Sequence, residues 1–152
     1  MKFFLDSADI EEIKTVLNYG ILDGVTTNPS LIKKAFEKNI SKGEKIDLDT
    51  YIKQILKICK GIPVSLEVVS HDYESMLKEA KTIYKRYNGI SNNVLIKIPV
   101  NPCLEINCSN EMDGIRVIQK LSQEKIKINC TLVFTPEQAL LAAKAGAYII
   151  SP

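Results

Sequence analysis

The chain has no tryptophan, one histidine and four cysteines in 152 residues. Cys59, Cys103, Cys108 and Cys130 are too few for a disulfide scaffold, and their spacings form neither a Cys-x-x-Cys redox pair nor a Cys-x-x-Cys zinc half-site. The gap between Cys103 and Cys108 is a weak metal signal, and His71 stands beside Asp72 ahead of a helical pattern, where capping or solvent exposure is the simpler reading. No metal site is expected. An excess of one charge is also lacking. Lys and Arg number 20 against 18 Asp and Glu, a net charge of +2, with the signs interspersed along the chain. That removes the electrostatic footprint of a nucleic-acid or anionic-membrane binder. Long apolar runs are missing too: the stretch from Val94 to Ile98 falls far short of the ~20 residues of a membrane span. With no signal-peptide hydrophobic region at the N-terminus, a cytoplasmic protein is expected.

What remains has the balance of an ordinary globular domain: 45% hydrophobic, 25% charged and 7% aromatic residues. Residues 1–152 are read as one domain, long enough to bury roughly two thirds of its unfolded surface. Phe3-Phe4-Leu5-Asp6 is a first strand. Asp9-Ile10-Glu11-Glu12 is a capping-box pattern opening a helix with Ile10, Ile13 and Leu17 on one face, closed by Gly20. Gly24-Val25-Thr26 is a second strand, and Asn28-Pro29 caps a helix whose stripe is Leu31, Ile32, Ala35 and Phe36. The polar stretch from Glu37 to Asp47 predicts a loop. Ile52, Ile55, Leu56 and Cys59 then recur at helical spacing. Val64 to Val69 is a third strand, and Met76 to Tyr87 an amphipathic helix. Val94 to Pro99 is a fourth strand, Asn101 to Asn110 a polar loop, and Ile115, Ile118 and Leu121 mark a helix. Ile126 to Phe134 is a fifth strand. Thr135-Pro136-Glu137-Gln138 is a second capping box, whose Ala-rich helix ends at Gly146 before a sixth strand, Ala147 to Ile150.

Alternating strands and helices, with strands rich in Val, Ile and Leu, imply an α/β fold with a covered parallel sheet. An open doubly wound sheet and part of a (β/α)8 TIM-type barrel both satisfy this pattern. Neither Gly-x-Gly-x-x-Gly after strand one nor a P-loop Gly-Lys-Ser/Thr is present.

The apolar strand runs end in polar groups: Asp6, then Thr26 and Asn28, then Glu67, Lys97, Asn129 with Thr131, and Ser151. In a parallel barrel those ends share the rim on which active sites are built. Lys97 interrupts Val94-Leu95-Ile96-x-Ile98, so it either snorkels to water or is held in apolar surroundings. Removal from water favours the neutral amine, which attacks a ketone to form a Schiff base whose iminium serves as an electron sink. Glu67 and Asp6 pose the same choice between a loop cap and a catalytic carboxylate. Asn28 reads equally as a helix cap and Asn129 as a strand amide.

The segments Phe4-Leu5-Asp6, Gly24 to Ile32 (GVTTNPSLI), Val64-Ser65-Leu66-Glu67-Val68, Ile96-Lys97-Ile98-Pro99 and Asn129 to Phe134 (NCTLVF) together resemble the transaldolase family. Gln138 to Ala147 and Ile150-Ser151-Pro152 are similar to it in order and spacing. The resemblance implies a (β/α)8 barrel and metal-free, cofactor-free class I aldol chemistry: transfer of a dihydroxyacetone unit between sugar phosphates in the non-oxidative pentose phosphate pathway. It makes Lys97 the Schiff-base lysine and Asp6 the acid/base group at the C4 hydroxyl. Glu67 and Thr131 become the pair that positions a water, and Thr26, Asn28, Asn129 and Ser151 the groups that hold substrate. It also implies sugar-phosphate substrates and a homo-oligomer. Fructose-6-phosphate aldolases share the scaffold but resemble a glutamine at the position of Glu67, so Glu67 favours transfer.

Two departures from the family stand out. Six strand–helix units consume the chain, whereas a closed barrel needs at least ~200 residues. An incomplete barrel lacking strands seven and eight is therefore expected, and with it the alternative of a catalytically silent barrel fragment. The other is the Asn101 to Glu111 stretch, where the family resembles a short turn. A surface insertion is the plainer reading, a lid the other.

Overall fold

A computed structural model describes residues 1–41, 43, 45–103 and 108–152. Residues 104–107, in the middle of the Asn101 to Glu111 insertion, lie outside the described residues. Contacts cluster into two compact units, the first made of residues 1–66 and 86–94, the second of residues 67–85 and 95–152.

The first unit is built on three short parallel strands. β1 (Phe4–Asp6) pairs with β2 (Gly24–Thr26), whose Val25 and Thr26 pair with Val64 and Ser65 of β3 (Val64–Glu67). Gly24 lies opposite Phe4, and a Cβ there would stand 2.2 Å from a Phe4 ring carbon, so only glycine lets that ring lie across the pair. α1 (Ile10–Leu17) starts at Asp9, whose carboxylate accepts from the amides of Glu11 and Glu12. Lys38 beside it, with those amides, holds the Asp9 carboxyl below the usual carboxylate range.

α2 (Pro29–Ser41) begins with its proline in the first turn and runs further than the sequence suggests. The residues from Glu37 to Ser41, expected as loop, are helical. Glu, Lys and Asn at these positions leave the backbone free to continue, and no breaker occurs before Gly43, which turns the chain with φ +93°. α3 (Leu48–Ile58) follows the Asp47 cap and buries Tyr51, Ile55 and Leu56. Tyr51 is fully enclosed and its hydroxyl donates to Ala8 O at 2.8 Å, which removes the penalty of burying it.

The second unit carries β4 (Val94–Pro99) from Leu95 onward, β5 (Ile128–Thr131) and β6 (Ile149–Ile150), again parallel and in chain order. Every residue of β4 is buried. α4 (Tyr73–Ser91) contributes its first part to this unit and its last turns to the other. α5 (Asp113–Gln123) buries Val117, Ile118 and Leu121. α6 (Pro136–Ala145) opens with the expected capping box, Thr135 and Gln138 each bonding the other's backbone, and closes on Gly146 in the left-handed conformation.

The placement of β4 relative to β3 decides between the two architectures left open by the sequence. A dinucleotide-type sheet would set β4 beside β1. Instead Val64 N donates to Asn93 O in the first unit and Val68 N donates to Lys97 O in the second, so β3 runs along β4. Six parallel strands alternating with six helices in this sequential order give the α/β organisation of an incomplete (β/α)8 barrel. β2 and β4 have the expected bounds, whereas β3 ends at Glu67 instead of Val69 and β5 covers only four residues. Leu132, with φ +58°, takes the chain out of β5 and leaves its own side chain half exposed.

Candidate active site

The strand ends carry the polar groups that the sequence singled out, and each unit gathers its own set. In the second unit Lys97, the fourth residue of β4, is 8% exposed among Leu95, Ile96 and Ile98. Its ammonium does not snorkel to bulk water. It lies 3.4 Å from Glu67 Oε2, with only 10% of the lysine side chain and 17% of the glutamate side chain accessible. A charge removed from water in this way needs a partner, and Glu67 at the last position of β3 supplies it.

Parallel register places the neighbours. Lys97 is the Cα partner of Asn129 and Pro99 that of Thr131, so Lys97, Asn129 and Thr131 project to one side of the sheet. Asn129 pairs in turn with Ile149, and Ser151, two residues on, keeps that side. Ser151 Oγ donates to Asn129 Oδ1 at 2.8 Å. Asn129 is fully buried, Thr131 nearly so and Ser151 half-buried. The other side of the same strands holds Ile96, Ile98, Ile128 and Cys130, all fully buried. One cation, one carboxylate, an amide and two hydroxyls thus occupy one sheet face of this unit.

In the first unit Asp6, at the end of β1, is exposed, and Thr26 Oγ1 donates to its Oδ1 at 2.7 Å across the β1–β2 pair. Thr26 is the Cα partner of both Asp6 and Ser65. Asn28 is half-buried, and its Oδ1 accepts from Leu31 N at 2.8 Å, the cap anticipated for α2. Thr27, between them, is fully buried and donates from its Oγ1 to Ser65 O at 2.6 Å. Ser65 is a residue the sequence reading passed over. It is 1% exposed on the same sheet face as Asp6 and Thr26, and its only sequence signal is a hydroxyl inside an apolar strand.

Cys103 and Cys108 form a disulfide with Cα atoms 5.9 Å apart. Their spacing therefore encodes a cross-link, not metal ligation, and the pair lies in the loop that follows Lys97. Asn101 Oδ1 accepts from Cys103 N, and Cys108 Sγ accepts from Asn110 N. Among the described residues no cluster of three or more His, Cys, Asp or Glu is arranged to hold a metal, and no helix is long and apolar enough to cross a membrane. His71 is exposed, with the capping role taken by Asp72, whose Oδ1 accepts from Ser75 N.

The geometry of the second unit suits carbonyl chemistry. A buried amine beside a carboxylate can form and hydrolyse an imine, the carboxylate carrying the proton that each step moves. The surrounding amide and hydroxyls match the donors and acceptors of a polyol.

Comparison with known proteins identifies the family. The family described as Transaldolase/Fructose-6-phosphate aldolase matches residues 3–152. A probable transaldolase of Thermoplasma acidophilum is 49% identical over all 152 residues, which are 59% of that protein. Probable transaldolases of Thermodesulfovibrio yellowstonii and Methanococcus vannielii are 47% and 48% identical, again over the whole chain and 60% of their own length. The chain thus spans about three fifths of the length of these curated relatives. Among solved structures, Rv1207 of Mycobacterium tuberculosis superimposes with a TM-score of 0.52 over 99% of this chain and 84% of its own, at 10% identity, a likeness of fold alone.

Proposed function

The chain belongs to the transaldolase/fructose-6-phosphate aldolase family, and on that premise we propose that it carries out Schiff-base transfer of a dihydroxyacetone unit between sugar phosphates. The observation that bears most weight is the buried Lys97 ammonium 3.4 Å from Glu67. In this reading Lys97 Nζ, once deprotonated, attacks the C2 carbonyl of a ketose phosphate. The carbinolamine loses water to an iminium, with Glu67 and Thr131 orienting the water that relays the protons. Asp6 takes the proton of the C4 hydroxyl, the C3–C4 bond breaks, and its electron pair flows into the iminium to give an enamine as the aldehyde phosphate departs. The enamine then attacks an acceptor aldehyde, Asp6 returns the proton, and water hydrolyses the new iminium to free Lys97. Asn28, Asn129 and Ser151 hold the hydroxyls, and Thr26 holds Asp6 as well as facing the substrate.

The substrates under this proposal are sugar phosphates of the non-oxidative pentose phosphate pathway, used in the cytoplasm by a homo-oligomer. No cofactor enters any step. Borohydride reduction in the presence of fructose 6-phosphate tests the proposal directly. A reduced three-carbon adduct mapped to Lys97 is the expected result. Its absence from folded protein, or an equal yield in Lys97→Met, overturns the assignment. Adduct formation without transfer to erythrose 4-phosphate, but with release of glyceraldehyde 3-phosphate, assigns the chain to direct aldol cleavage instead.

A further inference from the structure

The backbone that leaves Glu67 is tied down amide by amide. Val68 N donates to Lys97 O at 3.2 Å. Val69 N donates to both carboxylate oxygens of Glu79, each at 3.1 Å, and Ser70 N donates to Glu79 Oε2 at 2.9 Å. Farther on, Tyr73 N donates to Asp113 Oδ2 at 3.0 Å, while Asp113 Oδ1 accepts from Arg116 Nη1 and the Arg116 guanidinium lies 4.3 Å over the Tyr73 ring. Four of the six residues after Glu67 thus have their amides engaged, and two of those amides belong to one side chain. Glu79 lies in the second turn of α4 and takes no part in the chemistry assigned above. A helical carboxylate reaching back to two consecutive loop amides is costly to hold in place unless the loop must be held, because the side chain surrenders its rotamer freedom.

We propose that Glu79 is a positioning residue that fixes Glu67 at proton-transfer distance from Lys97. The inference rests on the Schiff-base reading and assigns Glu79 a place within it. Its mechanism is geometric. With the Val69 and Ser70 amides anchored on α4, the end of β3 has one exit, and the Glu67 carboxylate is confined to one approach to the amine. Without the anchor the loop samples several exits, and Glu67 spends only part of its time within reach of Lys97. Displacements of about 1 Å at a reacting group are enough to slow chemistry by one to two orders of magnitude. Asp113, by holding Tyr73 N, serves as the outer anchor of the same segment.

Three variants test this: Glu79→Ala, which removes the acceptor; Glu79→Gln, which keeps an uncharged acceptor oxygen at the same reach; and Glu79→Asp, which keeps the charge but withdraws it by one methylene. The readout is the rate at which borohydride traps the Lys97 adduct as fructose 6-phosphate is raised. In Glu79→Ala the maximal rate is expected to fall roughly tenfold with the half-saturating concentration unchanged, and Glu79→Gln to recover to within roughly threefold of the parent. A purely structural Glu79 would lower the folded fraction and the amplitude of trapping while leaving the rate per folded molecule intact, and that outcome overturns the proposal. If Glu79→Ala does not fold, Glu79→Asp carries the test: a parental maximal rate there overturns the proposal equally. Failure of the parent protein to form any adduct is a separate result, which removes the Schiff-base reading itself.

Discussion

Thr26 Oγ1 donates to Asp6 Oδ1 at 2.7 Å, a bond between the last residues of two neighbouring parallel strands. Because Asp6 is exposed, its carboxylate has water as the alternative partner, and the threonine decides which way it faces. Thr26→Val keeps the volume and removes the donor. Under the proposed mechanism, in which Asp6 is the general acid/base, transfer is expected to fall by roughly 10- to 100-fold once that group is no longer oriented. Thr26→Ser, which restores the donor, should recover most of the rate. A steady-state assay of both variants checks this, and loss in Thr26→Ser with full activity in Thr26→Val would show that the methyl group matters instead.

The ion pair of Lys97 and Glu67 gives a second expectation. Glu67→Gln leaves a buried ammonium without its counter-charge, at a cost of roughly 2 kcal/mol, the scale of a charged hydrogen bond. Chemical denaturation should register that loss. The same substitution installs the glutamine that the aldolase branch of the resemblance carries, so cleavage of fructose 6-phosphate should rise relative to transfer. The ratio of the two products, measured under the same conditions in parent and variant, decides it.

Four cysteines give two kinds of thiol behaviour. Burial pushes the thiols of Cys59 and Cys130 up to about 12, and Cys103 with Cys108 has no thiol to offer while the disulfide stands. Native protein without reductant is therefore expected to show no fast-reacting thiol, mild reduction to expose two, and unfolding after reduction to expose all four. A timed thiol titration reads each stage. The disulfide spans a sequence separation of five, so by loop-closure entropy its removal costs at most about 2 kcal/mol.

Gly114 in the first turn of α5 lies against the backbone that follows Lys97. A Cβ there would stand 2.0 Å from Pro99 O and 2.6 Å from Val100 O, and neither carbonyl can move without moving β4. Gly114→Ala should destabilise by about 2 kcal/mol through overpacking and reduce activity more than stability alone explains. Normal activity in an equally stable variant would show that the strand end adapts.

Asp49 binds Lys53 Nζ and Arg86 Nε, each at 2.6 Å, and accepts from the Tyr87 hydroxyl at 2.9 Å. Its carboxyl is held far below the ordinary carboxylate value, by Lys53 first and then Arg86 and Tyr87. A carboxyl depressed on folding contributes stability that is complete above its unfolded value, near 3.8, and is lost as the pH falls toward its folded value. Tyr87, pushed up to about 12 by burial and by Asp49, acts at the other end, where stability is lost as the pH rises from its ordinary 10. Asp49→Asn should flatten the acid limb of a plot of Tm against pH, and an unchanged limb would show that other carboxylates set it.

Much of this was legible in the sequence, for identifiable reasons. Lys97 and Glu67 stand out because a charge inside an apolar strand must have a partner, and the structure supplies each with the other. The Thr135 and Asn28 caps were readable because a capping side chain bonds its own neighbours. Less visible were features that depend on distant partners. Tyr51 shares the helical spacing of Ile55, yet its burial rests on Ala8 O, 43 residues away. Ser65 looks unremarkable until register sets it beside Thr26. The residues from Glu37 to Ser41 are polar all round, and polarity says where a segment faces, not whether it is helical. Cysteine pairing was out of reach because four cysteines allow several connectivities.

The alternation along β4 and β5 has a consequence for how such a protein can change. Lys97, Asn129 and Thr131 point one way, while Ile96, Ile98, Ile128 and Cys130 point the other. The polar groups of the candidate site and the apolar groups of the core therefore occupy odd and even positions of the same few residues. A substitution at an odd position changes a buried polar group and its partners, and one at an even position changes apolar packing. Two histories of selection can run interleaved along one short strand.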